Sequence, residues 1–159
     1  GVSSGAGVIF GVTGGVTEAV IRRLADDKST TSLRSIAFNG VRGMAGVNEA
    51  EIPFGENYLK VAIVSGLKNA EDLIIAMKSG EKHYDFVEVM ACPAGCVGGA
   101  GQPFARNEEK AIRGKGLYEA DRLSSIKRSE ENPLIMSLYS GVLKGKVHQL
   151  LHVDYIGKE

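Results

Sequence analysis

The chain has 159 residues, 43% apolar and 24% charged, with 19 basic side chains against 19 acidic ones. That length fits one domain with a real core, and a formal charge of zero gives no electrostatic reason to expect nucleic acid or an anionic membrane surface as partner. No apolar run reaches the roughly 18 residues that a membrane span needs, and the opening G-V-S-S-G-A-G lacks the basic and apolar regions of a secretory signal.

A chain that opens at Gly1 inside a glycine-rich, core-like segment is expected to be a fragment of a longer protein or a processed subunit. Its 21 glycines, where about 11 follow from an average near 7%, imply sharp turns or close backbone approaches. Two neighbouring cysteines cannot frame a domain of this size by disulfides, so the thiols are expected to act as ligands or redox groups in a reducing compartment, the cytoplasm.

Taken in order, Val8 to Phe10 is a short apolar run that ends in Gly11-Val12-Thr13-Gly14-Gly15. From Val16 the pattern turns helical, with Val16, Ala19, Val20, Arg23 and Leu24 on one face. Thr13 or the glycine pair would cap this helix, and Glu18 sits in its first turn. An apolar segment, glycines and a helix N-terminus form the general design of an anion or cofactor loop. The spacing matches neither the dinucleotide fingerprint nor the phosphate loop, so a tight turn packed on neighbouring backbone explains it equally well. The polar stretch Asp26 to Ser32 closes the helix.

Residues 35–54 have mixed strand character, broken at Gly40, Gly43, Gly46 and Pro53, and Gly55 to Asn57 reads as a hairpin turn. Tyr58 to Ser65 is a near-continuous β-branched run, hence a buried strand stopped by Gly66. A helix over Ala70 to Lys78 and a second buried strand over Tyr84 to Met90 follow. Strand, helix and strand with short links predict a right-handed crossover and parallel pairing. The predicted class is therefore α/β, a small, mostly parallel sheet with flanking helices, with residues 1–159 forming a single domain. After Pro103 the chain becomes charged and helical, in two parts over Glu108 to Ile112 and Leu117 to Ile126, interrupted by Gly114 and Gly116. Asn132-Pro133 opens a further helix with Leu134, Ile135, Leu138 and Val142 on one side. The end, V-H-Q-L-L-H-V-D-Y, reads as a last helical turn or an extended tail.

The chemistry concentrates between Glu88 and Pro103. Cys92 and Cys96 lie just past the carboxyl end of a predicted sheet strand, where open α/β sheets place their ligands. Thiolates suit iron–sulfur clusters, zinc and copper(I). With Pro93 preset for a first turn, C-x-x-x-C on a short helix would present both thiolates on one face, beside the helix's positive end. Met90 would add a polarizable thioether, and the glycines after Cys96 would let backbone N–H groups approach an anionic ligand. A closed zinc site needs four ligands, and His83, His148 and His152 are not in ligand spacing with the cysteines. A redox dithiol favours C-x-x-C. The chemistry leaves a metal-ligand pair and two buried structural cysteines both open.

The segment Glu88-x-Met90-x-Cys92-x-x-Gly95-Cys96-x-x-Gly99-Ala100-Gly101-Gln102-Pro103 resembles the third signature of the iron-only (di-iron) hydrogenases, E-x-M-x-C-x-x-G-C-x-x-G-G-G-Q-P. Gly5 to Ala19 is similar to that family's G-A-x-x-I-F-G-A-T-G-G-V-M-E-A segment, and His148 to Tyr155 to its H-x-L-L-H-T-H-Y ending. The resemblance covers nearly the whole chain, in order. It implies the C-terminal lobe of a two-lobed catalytic domain, each lobe built on a small, mostly parallel sheet with helices. Between the lobes would sit a 4Fe-4S cubane linked to a di-iron unit, held by four cysteines. By position, Cys92 would be a cubane ligand and Cys96 the ligand whose sulfur also bridges to the di-iron unit. Met90 would pack against that unit, and Phe10 with Gly11 would line its pocket. The implied reaction is reversible: two protons and two electrons give dihydrogen. The implied partners are the N-terminal lobe of the same parent and ferredoxin or another electron carrier.

The family's T-S-C-x-P-x-W and M-P-C-x-x-K-x-x-E signatures, which bring two cubane ligands and a proton-relay cysteine, are absent from the chain. The isolated chain is therefore expected to be metal-free and inactive. Ala100 replaces a signature glycine, and Thr17 stands where the family usually has Met. The alternative implied by relatives with a similar cysteine segment is an iron–sulfur protein without hydrogen turnover, either a hydrogen sensor or a cluster-assembly factor.

Overall fold

A computed structural model describes residues 2–24, 46–54 and 56–153. The predicted end of the first long helix and the strand character of residues 35–45 lie outside the described residues, as do Asp154 and Tyr155 of the tail. A short helix α1 (Gly5–Val8) runs through a 3-10 turn (Ile9–Gly11) into α2 (Gly15–Leu24). Strands β1 (Val47–Phe54) and β2 (Asn57–Ser65), helix α3 (Leu67–Lys78) and strand β3 (Phe86–Met90) follow. A second 3-10 turn (Cys96–Gly98) leads to α4 (Asn107–Leu123), a third 3-10 turn (Ser129–Glu131), α5 (Pro133–Ser140) and α6 (Val147–Leu151).

The sheet order is β1-β2-β3. β1 and β2 form an antiparallel hairpin in which Phe54 pairs with Asn57. β2 and β3 are parallel, with Val61 opposite Phe86 and Ser65 opposite Met90, as the strand–helix–strand order requires. The period of two explains the unbroken apolar run of β2. Val61 and Ile63 turn to one face, where they pack with Ile21 of α2, Ala50 and Ile52. Ala62 and Val64 turn to the other, against Ala70 and Leu73 of α3. The sheet is thus covered on both sides and β2 is central. A third cluster, Ile9, Val12, Ala94 and Val97 with Leu117 and Tyr118, lies between the first 3-10 turn, the cysteine segment and α4.

The apolar run Val8 to Phe10 is helical. Two predicted elements differ. α2 rotates away from its predicted register: Gly15, Thr17, Glu18, Ile21 and Arg22 are its buried residues, whereas Arg23 and Leu24 are exposed. A polar network buried under this helix (see below) outweighs the apolar stripe that periodicity alone selects. Helix α4 is continuous through Gly114 and Gly116. A helical glycine costs only about 1 kcal/mol against alanine, and Gly114 is buried where a Cβ would come 3.3 Å from Val12 Cγ1.

Asn132 caps α5, its side chain accepting from the Leu134 N–H at 3.0 Å, with Pro133 at the first position as predicted. Val142 falls beyond the helix, in a turn. Neither α5 nor α6 contains a buried residue.

Candidate cluster-binding site

The site is built on the carboxyl end of β3. Ser65, at the end of β2, pins the chain beyond it: its Oγ accepts from the Ala94 N–H at 2.9 Å, and the Gly66 N–H donates to Met90 O at 2.8 Å. Cys92 and Cys96 follow as free, exposed thiols. That exposure removes the reading of two buried structural cysteines.

The predicted helical presentation of the pair is corrected. Residues 92–95 form a turn, closed by the Gly95 N–H donating to Cys92 O at 2.9 Å, and only Cys96–Gly98 is helical, as a 3-10 turn. Left-handed backbone at Ala94 (φ 73°) and Gly95 (φ 82°) breaks any α-helix through the pair. Pro93 therefore enters a turn rather than a first helical turn.

Gly95 is required twice over. Besides its positive φ, a Cβ there would sit 2.8 Å from Thr13 N and 2.9 Å from Gly11 O. The glycine loop of residues 11–13 thus packs directly on the cysteine turn, joined by the Thr13 N–H donating to Ala94 O at 3.4 Å. Gly99 makes a comparable close approach, since a Cβ there would lie 3.2 Å from Cys92 Sγ. Ala100 is exposed and is not among the positive-φ residues, so its methyl in place of a signature glycine meets no backbone obstacle. Arg113 of α4 ties the far side of the loop, donating to Val97 O at 3.1 Å and Pro103 O at 3.0 Å.

Gly11 and the cysteine turn are neighbours, as these contacts show; Phe10, beside Gly11, is 46% exposed, and Met90 is half-buried at the strand end. The histidines play no part here: His148 and His152 stack edge to face with centroids 4.3 Å apart at the other end of the chain. Among the described residues no group of three or more His, Cys, Asp or Glu side chains is placed to hold a metal ion. As a donor set, two exposed thiols above a glycine-lined turn suit a soft metal or iron–sulfur cluster.

Glu88 opens the cysteine signature, but periodicity and motif assigned it no role; the structure shows that it joins β3 to the start of α2. It is 5% exposed on β3. Its carboxylate accepts from the Gly14 N–H at 2.7 Å, the Thr17 N–H at 2.6 Å and the Thr17 hydroxyl at 2.7 Å. Glu88 therefore caps α2 from another element and fills the role expected of Thr13 or the glycine pair, accepting from the Thr17 N–H of the first turn and from the Gly14 N–H just before it. Thr17 is fully buried and supplies one of those donors, a role open to a hydroxyl and not to a thioether. The available signal was an acidic residue in an otherwise apolar strand, which must find partners when buried.

Beneath it lies a second network. Arg22, 1% exposed, donates to both Asp121 oxygens at 2.8 Å and to Glu18 Oε1 at 2.5 Å. Burial works against the charged guanidinium, but its hydrogen bonds to Asp121 and Glu18 and their negative charge outweigh that and hold its pKa above the ordinary value. This pairing locks α4 onto α2, and Gly5 leaves room for it, since a Cβ there would lie 2.0 Å from Asp121 Oδ1. The i,i+4 spacing of Glu18 and Arg22 was its signal in the sequence.

Fold and site define a class: an α/β lobe that presents a thiol pair at the carboxyl end of a sheet strand, backed by a glycine-rich loop. Comparison with known proteins supplies the family. Residues 1–100 match the family described as "Iron only hydrogenase large subunit, C-terminal domain", and residues 107–158 match "Iron hydrogenase small subunit". The chain belongs to the iron-only hydrogenase family. It is 39% identical to the NADP-reducing hydrogenase subunit HndD of Solidesulfovibrio fructosivorans, over 100% of this chain and 28% of that protein. It superposes on an FeFe-hydrogenase of Chlamydomonas reinhardtii with TM-score 0.63 and 36% identity, over 96% of this chain and 47% of that one. It is also 30% identical to the cytosolic iron-sulfur assembly component 3 of Mus musculus, over 91% of this chain and 31% of that protein. The chain thus spans between about a quarter and a half of the proteins it resembles. Among the described residues no helix is long and apolar enough to cross a membrane.

Proposed function

We propose that residues 1–159 form one lobe of an iron-only hydrogenase catalytic domain and supply two of the four cysteine ligands of its active-site cluster. The observation that carries this reading is the exposed Cys92–Cys96 pair on a turn shaped by Gly95 and Gly99 and braced by the glycine loop. When bound, a 4Fe-4S cubane with its di-iron unit supplies the electron transfer and the interconversion of protons and dihydrogen.

The chain's own residues hold and shape the site. Cys92 and Cys96 would hold the cubane, with Cys96 on the side of the di-iron unit. Met90 would offer its thioether to that unit, and Phe10 and Gly11 would line the pocket. Glu88, on the strand that runs into the Cys92 turn, ties that strand to the start of α2, just beyond the Phe10–Gly11 turn, by accepting from the Gly14 and Thr17 N–H groups. The other two thiolates come from the N-terminal lobe of the parent, so the isolated chain is metal-free and inactive. Electrons reach the parent from ferredoxin or another carrier, in a cytoplasm that keeps both thiols reduced.

The test is dihydrogen evolution from a reduced viologen by the full-length parent. The parent evolves dihydrogen and its Cys96→Ala variant does not; a variant with undiminished activity would refute the ligand role. The likeness to the assembly component favours a second reading, an iron–sulfur protein without hydrogen turnover. A parent that holds iron and sulfide yet neither evolves nor consumes dihydrogen establishes that one.

A further inference from the structure

Among the described residues, Ala94 is the one non-glycine residue with left-handed backbone, at φ 73°. Alanine resists that conformation because its Cβ crowds the following carbonyl oxygen, so it persists only where the surroundings hold it. Two hydrogen bonds hold Ala94. Its N–H donates to Ser65 Oγ at 2.9 Å in a buried setting, and its carbonyl accepts from the Thr13 N–H at 3.4 Å. The shorter bond runs to a residue that is itself fixed. Ser65 is 4% exposed, its N–H donates to Gly46 O at 2.8 Å, and its carbonyl accepts from Asn69 Nδ2 at 2.7 Å. Ala94 and Gly95 are buried, whereas Cys92 and Cys96 on either side of them are exposed. The middle of the loop is therefore the anchor, and the thiols are what it carries.

We propose that Ser65 is a positioning residue for the thiol pair: its hydroxyl oxygen holds Ala94 left-handed, and that conformation sets the direction in which Cys96 leaves Cys92. Without the bond, Ala94 relaxes toward the right-handed backbone that the C-x-x-x-C spacing favours locally, and the turn closed by the Gly95 N–H on Cys92 O opens. Ser65 stands 29 positions before Ala94 in the chain and acts through it, not on a reacting atom. The consequence for a bound cluster rests on the cluster-ligand reading above; the conformation of the turn does not.

The test begins with hydrogen–deuterium exchange of the full-length parent in its metal-free form, read residue by residue by mass spectrometry. The informative amides are those of Gly95 and Gly98, because Ser65→Ala leaves their own acceptors, Cys92 O and Gly95 O, in place. Ser65→Ala speeds their exchange at least about tenfold and leaves β1 unchanged. Ala94→Gly added to Ser65→Ala removes the steric cost of the left-handed conformation and returns exchange to within about threefold of wild type. In the reconstituted parent, Ser65→Ala releases iron to a chelator at least about tenfold faster and shifts the electron paramagnetic resonance signal of the reduced cubane, and Ala94→Gly restores both. Unchanged exchange at Gly95 and Gly98 in Ser65→Ala, or exchange as fast in the double variant as in the single one, overturns the proposal. Faster exchange with unaltered iron release and an unaltered signal overturns the positioning role at the cluster. A wild-type parent that binds no iron refutes the cluster-ligand reading instead, and the exchange result still decides whether Ser65 holds the turn.

Discussion

Removing the Glu88 carboxylate is expected to loosen the site without touching Cys92 or Cys96. Glu88→Ala leaves the Gly14 N–H, the Thr17 N–H and the Thr17 hydroxyl without their acceptor in a buried setting. Each orphaned buried donor costs about 1–3 kcal/mol, while the hydroxyl can rotate to another acceptor and water can reach part of the space left. The net loss is about 3–5 kcal/mol, a large part of the roughly 5–15 kcal/mol that holds a domain together. Glu88→Gln keeps the volume and one acceptor oxygen but turns an NH2 toward a donor, so it loses about half as much. Urea unfolding of the metal-free parent, followed by circular dichroism, measures both. A Glu88/Thr17 double-mutant cycle with Thr17→Val should show a coupling above about 1 kcal/mol. A Glu88→Ala stability within about 0.5 kcal/mol of wild type would refute the capping role.

Three further outcomes follow from the same geometry. Asp121→Ala strips the buried Arg22 guanidinium of its bidentate partner and should cost about 3–5 kcal/mol in the same unfolding assay. Gly95→Ala forces a Cβ into the glycine loop at a left-handed position. It should lower the iron content of the reconstituted parent by more than half, whereas Gly80→Ala, also at positive φ but in open space, should not. Hydrogen bonds from Tyr84 and then Lys82 hold the Glu49 carboxyl below its usual pKa. Its contribution is present above the unfolded-state value near 4.5 and is lost as pH falls through the folded-state value. Glu49→Gln should flatten that acid limb of the stability–pH curve.

The sequence revealed the sheet and the position of the thiols more clearly than the scaffold beneath them. The strand over Tyr58 to Ser65 and the crossover to β3 were legible because its second half, Val61 to Val64, is covered on both faces and so apolar at every position, although Tyr58 and Lys60 at its start are exposed. Cys92 and Cys96 were legible from their place after that strand. The register of α2 was not, because Thr17, Glu18 and Arg22 are buried by partners on distant elements, and hydrophobic periodicity counts such residues as surface. The shape of the cysteine turn was hidden for a related reason. Pro93 and the C-x-x-x-C spacing favour a helix locally, but Ala94 and Gly95 take left-handed backbone where the turn meets the glycine loop. An i,i+4 pattern cannot register a constraint set some eighty residues away in the chain, by Gly11 and Thr13.

The most direct measurement of the central claim is iron and sulfide per parent molecule after anaerobic reconstitution, for the wild type, Cys92→Ser, Cys96→Ser and the isolated 159-residue chain. If this lobe supplies two of four ligands, the wild-type parent holds its cluster iron, each serine variant loses most of it, and the isolated chain holds almost none. Full iron content in both serine variants, or a complete four-iron cluster on the isolated chain, would contradict it.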